Sequence, residues 1–279
     1  MTLLARTRLE LDEVTAAPVP TAVVMTMGAL HDGHAELMRE ARRRLPQGRV
    51  IVTDFVNPTQ FGAGEDFDRY PRTLEADVEL CERNAVDIVF APSVDEVYSG
   101  AGLGITVDPG ARGDILEGAS RPGHFAGVLT VVAKLLHLTR PDIALFGEKD
   151  YQQLVLITDM VRALDFRVEV IGVPTVREAD GLAMSSRNRY LSAEARARAA
   201  VIPRALAAGE AAASAGADAA AHATRAVLES EGIDIDYVVV TGTDLLDAPT
   251  CGVGRLILAV RIDDVRLIDN VLVDLGGGP

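Results

Sequence analysis

Val23-Val24-Met25-Thr26-Met27-Gly28-Ala29-Leu30-His31-Asp32-Gly33-His34 is the stretch of sequence that decides the fold. Its apolar first half predicts a buried strand, and Gly28 predicts the turn that ends this strand. Apolar residues then recur at helical spacing from Ala35 to Leu45, which is typical of an amphipathic helix. The stretch therefore predicts a strand, a glycine turn and a helix that has two histidines at its start.

His31 and His34 are three positions apart, so a helical turn places their side chains on one face, with Cβ atoms about 5–6 Å apart. The backbone N–H groups of a helix N-terminus form a natural phosphate site, and two imidazoles add hydrogen-bond donors that stabilise charge during phosphoryl or nucleotidyl transfer. Two other interpretations remain open for the pair alone. It can be half of a metal site, although the nearby sequence offers no Cys or His to complete one, or it can be two ordinary surface residues.

Composition narrows the class of protein. The 279 residues are 48% hydrophobic and include two widely separated cysteines, Cys81 and Cys251, which is typical of a packed chain in a reducing compartment. No apolar run approaches the roughly 18 residues of a membrane span, and residues 1–14 do not resemble a secretory signal. We therefore expect a cytoplasmic protein that binds no membrane.

The net charge of −14 argues against nucleic-acid binding. If the ligand is an anion, its binding site needs a local cluster of hydrogen-bond donors or positive charges.

Apolar, β-branched runs alternate with amphipathic segments along the first part of the chain. The predicted strands are 22–27, 49–56, 88–91, 143–146 and 168–173. The predicted helices are 33–45, 72–84, 125–139 and 150–164. This alternation predicts an α/β fold with a Rossmann-like, doubly wound parallel sheet. Ligands bind outside the carboxyl ends of the strands in such sheets, which selects the loops 28–34, 57–64 and 147–153.

An alanine-rich segment, residues 192–231, follows the last of these strands. Alanine is the best helix former, and Ser192 is a predicted N-cap. Gly216 is predicted to divide the segment into two helices, and Pro203 is predicted to kink or interrupt the first of them. The segment therefore predicts packed helices.

Three short strands are predicted near the C-terminus, at 236–240, 255–260 and 265–268, and residues 263–264 suit a hairpin turn between the last two. The chain is therefore predicted to have two domains. A Rossmann-like domain spans 1–175, and a smaller α+β domain spans 176–279.

Two polar motifs follow predicted strands. The first, residues 57–61, includes Asn57 and Gln60, whose neutral amides suit hydroxyl and carboxylate recognition, although Asn-Pro is also a common start of a turn. In the second, residues 147–153, Lys149 supplies a mobile positive charge for a phosphate. Asp150 is either part of that site or the N-cap of the next helix. Gln153, one turn further on, can face the crevice.

Two further stretches contain side chains for anions. Ser185, Ser186 and Arg187 can bind phosphate groups in a loop that closes as a lid, or they can belong to an ordinary polar loop that caps a helix. Arg121 can bind an anion or can be solvated. Neither common glycine-rich nucleotide loop is present, and residues 100–104, which do not complete G-x-G-x-x-G, are predicted to be a flexible loop.

Seven motifs in the same order make the sequence resemble the pantoate–β-alanine ligase family over nearly the whole chain. They are T-M-G-A-L-H-D-G-H (26–34), F-V-N-P-T-Q-F (55–61), Y-P-R-T (70–73), L-E-G-A-S-R-P-G-H-F-A-G-V (116–128), F-G-E-K-D-Y-Q-Q (146–153), V-R-E-A-D-G-L-A-M-S-S-R-N-R-Y-L-S (176–192) and R-L-I-D-N (266–270). The H-x-G-H motif and the serine-basic loop also resemble the wider nucleotidyltransferase superfamily.

The resemblance implies ATP-dependent condensation of (R)-pantoate with β-alanine, through pantoyl adenylate, to give pantothenate, AMP and pyrophosphate. It also implies a first domain that binds ATP and pantoate, a second domain that acts as a lid, Mg²⁺ bound with ATP, and a homodimer. The chemistry agrees with the residues present, because an ionised carboxylate needs alignment and charge stabilisation but no general base.

The resemblance also implies residue roles. The implied catalytic residues are His31, His34 and Lys149. The residues implied to bind ATP are Met27, Gly28, His31, His34, Gly147, Lys149, Asp150, Val176, Met184, Ser185, Ser186 and Arg187. The residues implied to bind pantoate are Met27, Asn57, Gln60, Arg121 and Gln153. Asp77 is a candidate ligand of Mg²⁺.

The sequence departs from the family pattern at a few positions. Met25 stands where the family usually has proline, and Asp54 lies in a strand that is normally apolar at that position. Two alternatives remain: another acid-adenylating or nucleotidyl-transferring enzyme of the same superfamily, and a catalytically silent nucleotide-binding homologue. The silent homologue predicts loss of a histidine, Lys149 or Arg187, all of which are present.

Overall fold

A computed structural model describes residues 2–62, 64–65, 67–98 and 104–276. It contains two compact units. The first comprises Met1–Glu148 and Gln152–Pro174, and the second comprises Lys149–Tyr151 and Thr175–Pro279. Lys149–Tyr151 thus belong to the second unit, although the predicted boundary placed them in the first.

The first unit is built on a parallel sheet of six strands. They are β1 (Leu3–Ala5), β2 (Thr21–Thr26), β3 (Arg49–Asp54), β4 (Ile88–Phe90), β5 (Ile143–Gly147) and β6 (Glu169–Val173). Their spatial order is β1-β4-β3-β2-β5-β6. The chain builds the sheet outward from β2 in one direction and then from β5 in the other, so the strand order reverses between β2 and β5. Doubly wound sheets bind ligands at this reversal, outside the carboxyl ends of the strands.

Helices connect the strands of this sheet. They are α1 (Arg8–Thr15), α2 (Asp32–Arg44), α3 (Leu74–Arg83), α4 (Val94–Tyr98), α5 (Glu117–Ser120), α6 (His124–Thr139) and α7 (Tyr151–Ala163). One buried cluster centres on Phe90, Phe125 and Ile157, and a second centres on Val24, Met38 and Leu145. Because the sheet is covered on both faces, its central strands are continuously apolar, as predicted.

The predicted Rossmann-like sheet is confirmed, but the sequence analysis missed β1 and α1. Strand β1 is a three-residue edge strand that pairs only with β4, so it has no extended apolar pattern. Helix α1 does carry a local signal. The Thr7 side chain accepts a hydrogen bond from the Glu10 N–H, and the Glu10 carboxylate accepts one from the Thr7 N–H. This capping box is visible in the sequence as T-x-x-E.

The second unit combines helices with an antiparallel sheet of order β7-β8-β9. Its helices are α8 (Ala193–Ala199), α9 (Val201–Ala212) and α10 (Ala217–Ser230). Its strands are β7 (Asp234–Thr241), β8 (Val253–Ile262) and β9 (Val265–Asp274). The α+β prediction for this part of the chain is confirmed, and each strand is longer than predicted.

Local sequence signals explain the boundaries of these elements. Ser192 caps α8 by accepting a hydrogen bond from the Ala195 N–H, as predicted. The helical segment breaks at Ala200, so Pro203 lies in the first turn of α9, where its missing N–H costs no intrahelical hydrogen bond. Residues 263–264 form the two-residue turn between β8 and β9, in which Ile262 pairs with Val265.

In the described part of the chain, every helix is too short or too polar to cross a bilayer. The predicted flexible loop at residues 100–104 lies mostly outside the described residues, so that prediction is untested.

Asp54 is a half-buried carboxyl at the carboxyl end of β3, and it lies against the turn that follows β2. Its neighbour Thr26 is the last residue of β2, and the Asp54 carboxyl also hydrogen-bonds to the Asp77 side chain. Burial and the Asp77 charge raise the pKa of Asp54 from 3.8 to about 7. The folded chain therefore keeps a proton on Asp54 at pH values where the unfolded chain has released it.

We predict that the Asp54→Asn variant has a different pH dependence of stability from the parent chain. Since the folded pKa of Asp54 is raised, stability is lost as the pH rises from near 4 through 7. The free energy of unfolding of the variant, relative to the parent, should rise by about 2–3 kcal/mol between pH 5 and pH 8. Urea unfolding at both pH values measures this difference.

The control for this prediction is Asp264→Asn, which alters an exposed carboxylate in the hairpin turn of the second unit. It should leave the pH dependence of stability unchanged. Parallel pH profiles for Asp54→Asn and the parent chain would contradict the assignment of a retained proton to Asp54.

Candidate active site

The turn between β2 and α2 has a backbone conformation that few residues tolerate. Gly28 and Ala29 both have positive φ, 77° and 51°. A Cβ atom on Gly28 would lie 2.4 Å from Oδ1 of Asp54, so a larger residue would strain the backbone and would also force the Asp54 carboxyl to shift. The Asp77 carboxylate fixes the turn, because its Oδ2 accepts from the Ala29 N–H at 3.0 Å and its Oδ1 from the Leu30 N–H at 2.8 Å.

Asp77, the candidate ligand of Mg²⁺, therefore has a structural role in this geometry. Its side chain is buried, with 2% of its surface exposed, and Thr73 Oγ1 donates to its Oδ2 as well. Within the described residues, no group of three His, Cys, Asp or Glu side chains is arranged to hold a metal ion. The magnesium role of Asp77 gains no support from these contacts and stays an untested prediction.

His31 and His34 interlock at the start of α2. His31 is the N-cap, and its Nδ1 accepts from the Gly33 N–H at 3.1 Å. The Nδ1 of His34 accepts from the His31 N–H at 3.2 Å. The centroids of the two rings are 4.1 Å apart. The prediction that both side chains share one face of the first turn is thus confirmed.

These hydrogen bonds determine the tautomer of both rings. A nitrogen that accepts from a backbone N–H carries no proton, so each neutral ring holds its proton on Nε2. Each Nε2–H group is then a hydrogen-bond donor at the N-terminus of a 13-residue helix. Two donors and the positive end of the helix dipole favour an anion at this position.

The loop that follows β3 meets the end of β2. Nε2 of Gln60 lies 2.9 Å from Sδ of Met27, so two predicted pantoate residues are in contact. Gln60 is 9% exposed and lies in a 3₁₀ turn, Pro58–Gln60. Helix α6 packs closely against this turn, since a Cβ atom on Gly127 would lie 2.2 Å from the Thr59 carbonyl oxygen.

Asn57 has protein partners on both atoms of its amide. It is 1% exposed, and its Nδ2 donates to Oε1 of Gln60 at 3.1 Å and to the Gly127 carbonyl at 3.3 Å. Its Oδ1 accepts from the Tyr98 hydroxyl at 2.6 Å and from Thr59. These contacts orient the Gln60 amide, and the pantoate role of Asn57 stays a prediction.

Arg121 is held by an ion pair in this structure. Its Nε and Nη2 donate to the two carboxylate oxygens of Glu65 at 2.7 and 2.6 Å, and its Nη2 also donates to the Gln60 carbonyl at 3.2 Å. His124 accepts at Nε2 from Arg121 and donates from Nδ1 to the same carbonyl at 2.8 Å. Burial and the Arg121 charge lower the pKa of His124 to about 4, which keeps this ring neutral. The Arg121 guanidinium thus supports the backbone of Gln60.

The two adjacent glutamines, Gln152 and Gln153, have different environments. Gln152 is buried, and its Nε2 donates to the carbonyls of Arg112 and Ile115, while its Oε1 accepts from the Glu117 N–H. It therefore fixes the backbone before α5. Gln153 is partly exposed, and its predicted contact with pantoate stays untested.

Gly147, which is predicted to bind ATP, is the last residue of β5. It lies at the same edge of the sheet as the ends of β2 and β3.

Lys149 and Asp150 belong to the second unit. The Lys149 side chain is largely buried, and its Nζ lies 3.5 Å from Oδ1 of Asp150. The Lys149 carbonyl accepts from Nδ2 of Asn270 at 2.9 Å. Helix α7 begins at Tyr151, directly after a 3₁₀ turn that contains both Lys149 and Asp150.

The serine-basic loop also lies in the second unit. The Met184 N–H donates to the Val176 carbonyl at 2.9 Å, so two residues predicted to line the nucleoside site are neighbours. Oγ of Ser185 accepts from the Arg187 N–H at 3.2 Å and caps the 3₁₀ turn Ser186–Tyr190. Ser185, Ser186 and Arg187 thus lie on one capped turn.

Four residues with structural roles near these groups were not singled out by the sequence analysis: Glu65, His124, Arg255 and Asn270. Glu65 is an ordinary loop carboxylate in sequence and gives no local signal. His124 and Asn270 lie within quoted motifs that received no role of their own. Arg255 begins a predicted strand, and only the tertiary structure shows that it is buried.

Three comparisons with known proteins identify the family of this chain. The family model for pantoate–β-alanine ligase matches residues 3–272. A pantothenate synthetase of Salinispora arenicola is 55% identical to this chain over 280 residues and is matched over 99% of both chains. The crystal structure of pantothenate synthetase from Thermus thermophilus matches with a TM-score of 0.90 and 44% identity, covering 99% of this chain and 100% of that chain.

A second solved structure is a pantoate–β-alanine ligase from Francisella tularensis in complex with β-γ ATP and β-alanine. It matches with a TM-score of 0.83 and 34% identity, covering 98% of both chains. The family model, the curated relative and both solved structures span essentially the full length of this chain. The chain therefore belongs to the pantoate–β-alanine ligase family.

Proposed function

We propose that this chain ligates pantoate to β-alanine in two steps at the expense of ATP. In the first step a pantoate carboxylate oxygen attacks the α-phosphorus, giving pantoyl adenylate and pyrophosphate. In the second step the β-alanine amine attacks the acyl carbon, giving pantothenate and AMP. The observation that carries the proposal is the pair of adjacent histidine rings at the N-terminus of α2, whose Nδ1 atoms accept from backbone N–H groups.

The first step needs stabilisation of charge more than it needs a base. A carboxylate is ionised at neutral pH because its ordinary pKa lies near 4. Negative charge grows on the phosphate oxygens as the new P–O bond forms, and donors that are already oriented stabilise it without reorganisation. His31 and His34 are oriented by their own backbone contacts, so they suit this role.

Pantoate binding is assigned to neutral groups of the first unit. Met27 supplies an apolar contact, and Gln60 supplies an amide whose Oε1 is fixed by Asn57. Gln153 is the third candidate. Arg121 is proposed to act on pantoate through Gln60, because its guanidinium is paired with Glu65 and donates to the Gln60 carbonyl.

ATP binding is assigned to the residues that the family resemblance implies. We assign the phosphates to His31, His34, Lys149, Ser185, Ser186 and Arg187. We assign the nucleoside to Met27, Gly28, Gly147, Asp150, Val176 and Met184. Lysine and arginine suit phosphate as a point charge and as a planar donor, respectively. Local cations are needed because the whole chain has a net charge of −14.

Mg²⁺ is proposed to enter as part of the Mg–ATP substrate. Hard cations of this type prefer oxygen ligands and are commonly bound through substrate phosphates with few carboxylates. The buried contacts of Asp77 leave the protein ligands of the ion unassigned.

The adenylate must be protected from water until the amine arrives, and a closing segment achieves this in many enzymes. We assign this role to the second unit as a lid. The homodimer and the cytoplasmic location implied by the family remain predictions as well. Another acid substrate or a silent homologue is less favoured, because the family match extends along the whole chain.

We predict that pantoate labelled with ¹⁸O in both carboxylate oxygens transfers one label to AMP. The attacking oxygen becomes the bridge of the adenylate, and the amine then breaks the bond between the acyl carbon and that oxygen. AMP should gain one ¹⁸O and pantothenate should retain one, as measured by mass spectrometry of a reaction with Mg–ATP and β-alanine. AMP without label would contradict the adenylate route, and absence of AMP would contradict the ligase function.

We predict that His34→Ala lowers the rate of AMP formation by at least 100-fold at saturating substrates, about 2.7 kcal/mol on the barrier. His34→Asn is the sharper variant, because its Oδ1 can still accept from the His31 N–H while the Nε2–H donor is lost. Both variants should lose activity and keep the circular dichroism of the parent. His222→Ala, an exposed histidine of α10, is the control. Loss in His34→Ala but near-normal activity in His34→Asn would show that the histidine acts only as a cap.

A further inference from the structure

The motif Arg266-Leu267-Ile268-Asp269-Asn270 has no role in the function proposed above. Its last two residues lie in the middle of β9, where a polar pair is unexpected. Asp269 is 1% exposed and Asn270 is 3% exposed. Buried polar groups are costly unless their hydrogen bonds are satisfied, so the partners of this pair indicate what it does.

Asn270 connects β9 to the backbone of Lys149. Its Nδ2 donates to the Lys149 carbonyl at 2.9 Å, across a sequence separation of 121 residues. Its Oδ1 accepts from Nε of Arg255 at 2.7 Å. The amide is therefore oriented by Arg255 so that its donor faces the Lys149 carbonyl.

Arg255 holds the same short segment through a second contact. Its side chain is buried, and its guanidinium carbon lies 3.9 Å from the centroid of the Tyr151 ring. The Tyr151 hydroxyl donates to the Thr243 carbonyl at 2.8 Å. The segment Lys149–Tyr151 is thus fixed at Lys149 by Asn270 and at Tyr151 by a buried cation–π contact.

Asp269 fixes a second segment. Its two carboxylate oxygens accept from Nη1 and Nη2 of Arg177 at 2.7 and 3.0 Å. Arg177 also donates to the carbonyls of Gly181 and Asn270. The Arg177 side chain therefore joins the loop before the serine-basic turn to the same two residues of β9.

We propose that Asn270 is a positioning residue for Lys149 in the adenylation step. The inference rests on the proposed role of Lys149 at the phosphates of ATP. A lysine side chain has four rotatable bonds, so the ammonium reaches a phosphate reproducibly only when its backbone is fixed. Small displacements of a catalytic group cost large factors in rate, and the Asn270 amide prevents such a displacement by holding the Lys149 carbonyl.

The test is a double-mutant cycle on ATP–pyrophosphate exchange in the presence of pantoate, with the full chain. Lys149→Ala should lower the exchange kcat at least 100-fold. Asn270→Ala should lower it about 10-fold and leave the KM for pantoate within twofold of the parent value. The double variant should be no slower than Lys149→Ala by more than twofold, because Asn270 acts through Lys149.

A second variant replaces the proposed contact and keeps the acceptor for Arg255. Asn270→Asp keeps an acceptor for Arg255 but replaces the donor to the Lys149 carbonyl with an oxygen. It should lose as much exchange activity as Asn270→Ala, and it decides the question if Asn270→Ala does not fold. Val273→Ala, a buried residue of the same strand, is the stability control and should lower the melting temperature without lowering kcat. Lys134→Ala is the control for loss of a lysine.

The outcomes distinguish a failure of the proposed role of Lys149 from a failure of the positioning role of Asn270. Near-normal exchange in Lys149→Ala would overturn the proposed role of Lys149, and the positioning role with it. Loss in Lys149→Ala with multiplicative losses in the double variant would overturn only the positioning role of Asn270. The positioning role would also fail if Val273→Ala lost as much kcat as Asn270→Asp.

Discussion

The hydrogen bonds from the backbone N–H groups of Ala29 and Leu30 to the Asp77 carboxylate are the constraint on which the candidate site depends. Hydrogen bonds to a charged group contribute about 1.5–3 kcal/mol each, enough to hold a turn with two successive positive φ angles. The same turn ends β2 at the reversal of strand order and starts α2. A single buried carboxylate therefore fixes the turn from which His31 and His34 follow. Burial and the charge of Asp77 also raise the pKa of the neighbouring Asp54 to about 7.

The helix start that follows this turn resolves an electrostatic conflict. The chain has a net charge of −14, yet ATP, pantoate and pyrophosphate are all anions. Oriented Nε2–H donors and a helix N-terminus attract phosphate over short distances, where the field of distant carboxylates is screened. The first unit thus contains short-range donors, and the roles proposed for Lys149 and Arg187 add local positive charge.

The local sequence pattern was sufficient to predict the Rossmann-like sheet and the helix face that His31 and His34 share, because both features depend on residues that are close in sequence. The pattern was not sufficient to predict the roles of side chains whose hydrogen-bond partners are distant in sequence. The predicted last strand stopped at residue 268, since Asp269 and Asn270 interrupt its apolar run, whereas β9 continues to Asp274 because Arg177 and Arg255 satisfy that polar pair. Hydrophobic periodicity likewise cannot show that the Gln152 side chain is buried and hydrogen-bonded to the backbone before α5.

The most direct test of this account is the protonation state of His31 and His34, measured by ¹⁵N nuclear magnetic resonance on chain labelled at its five histidines. Signals are assigned with His31→Asn and His34→Asn variants. The account predicts that both Nδ1 atoms are unprotonated acceptors, that both Nε2 atoms carry a proton, and that the two Nε2 signals shift when Mg–ATP is added. Protons on Nδ1, or Nε2 signals unchanged by Mg–ATP, would contradict it.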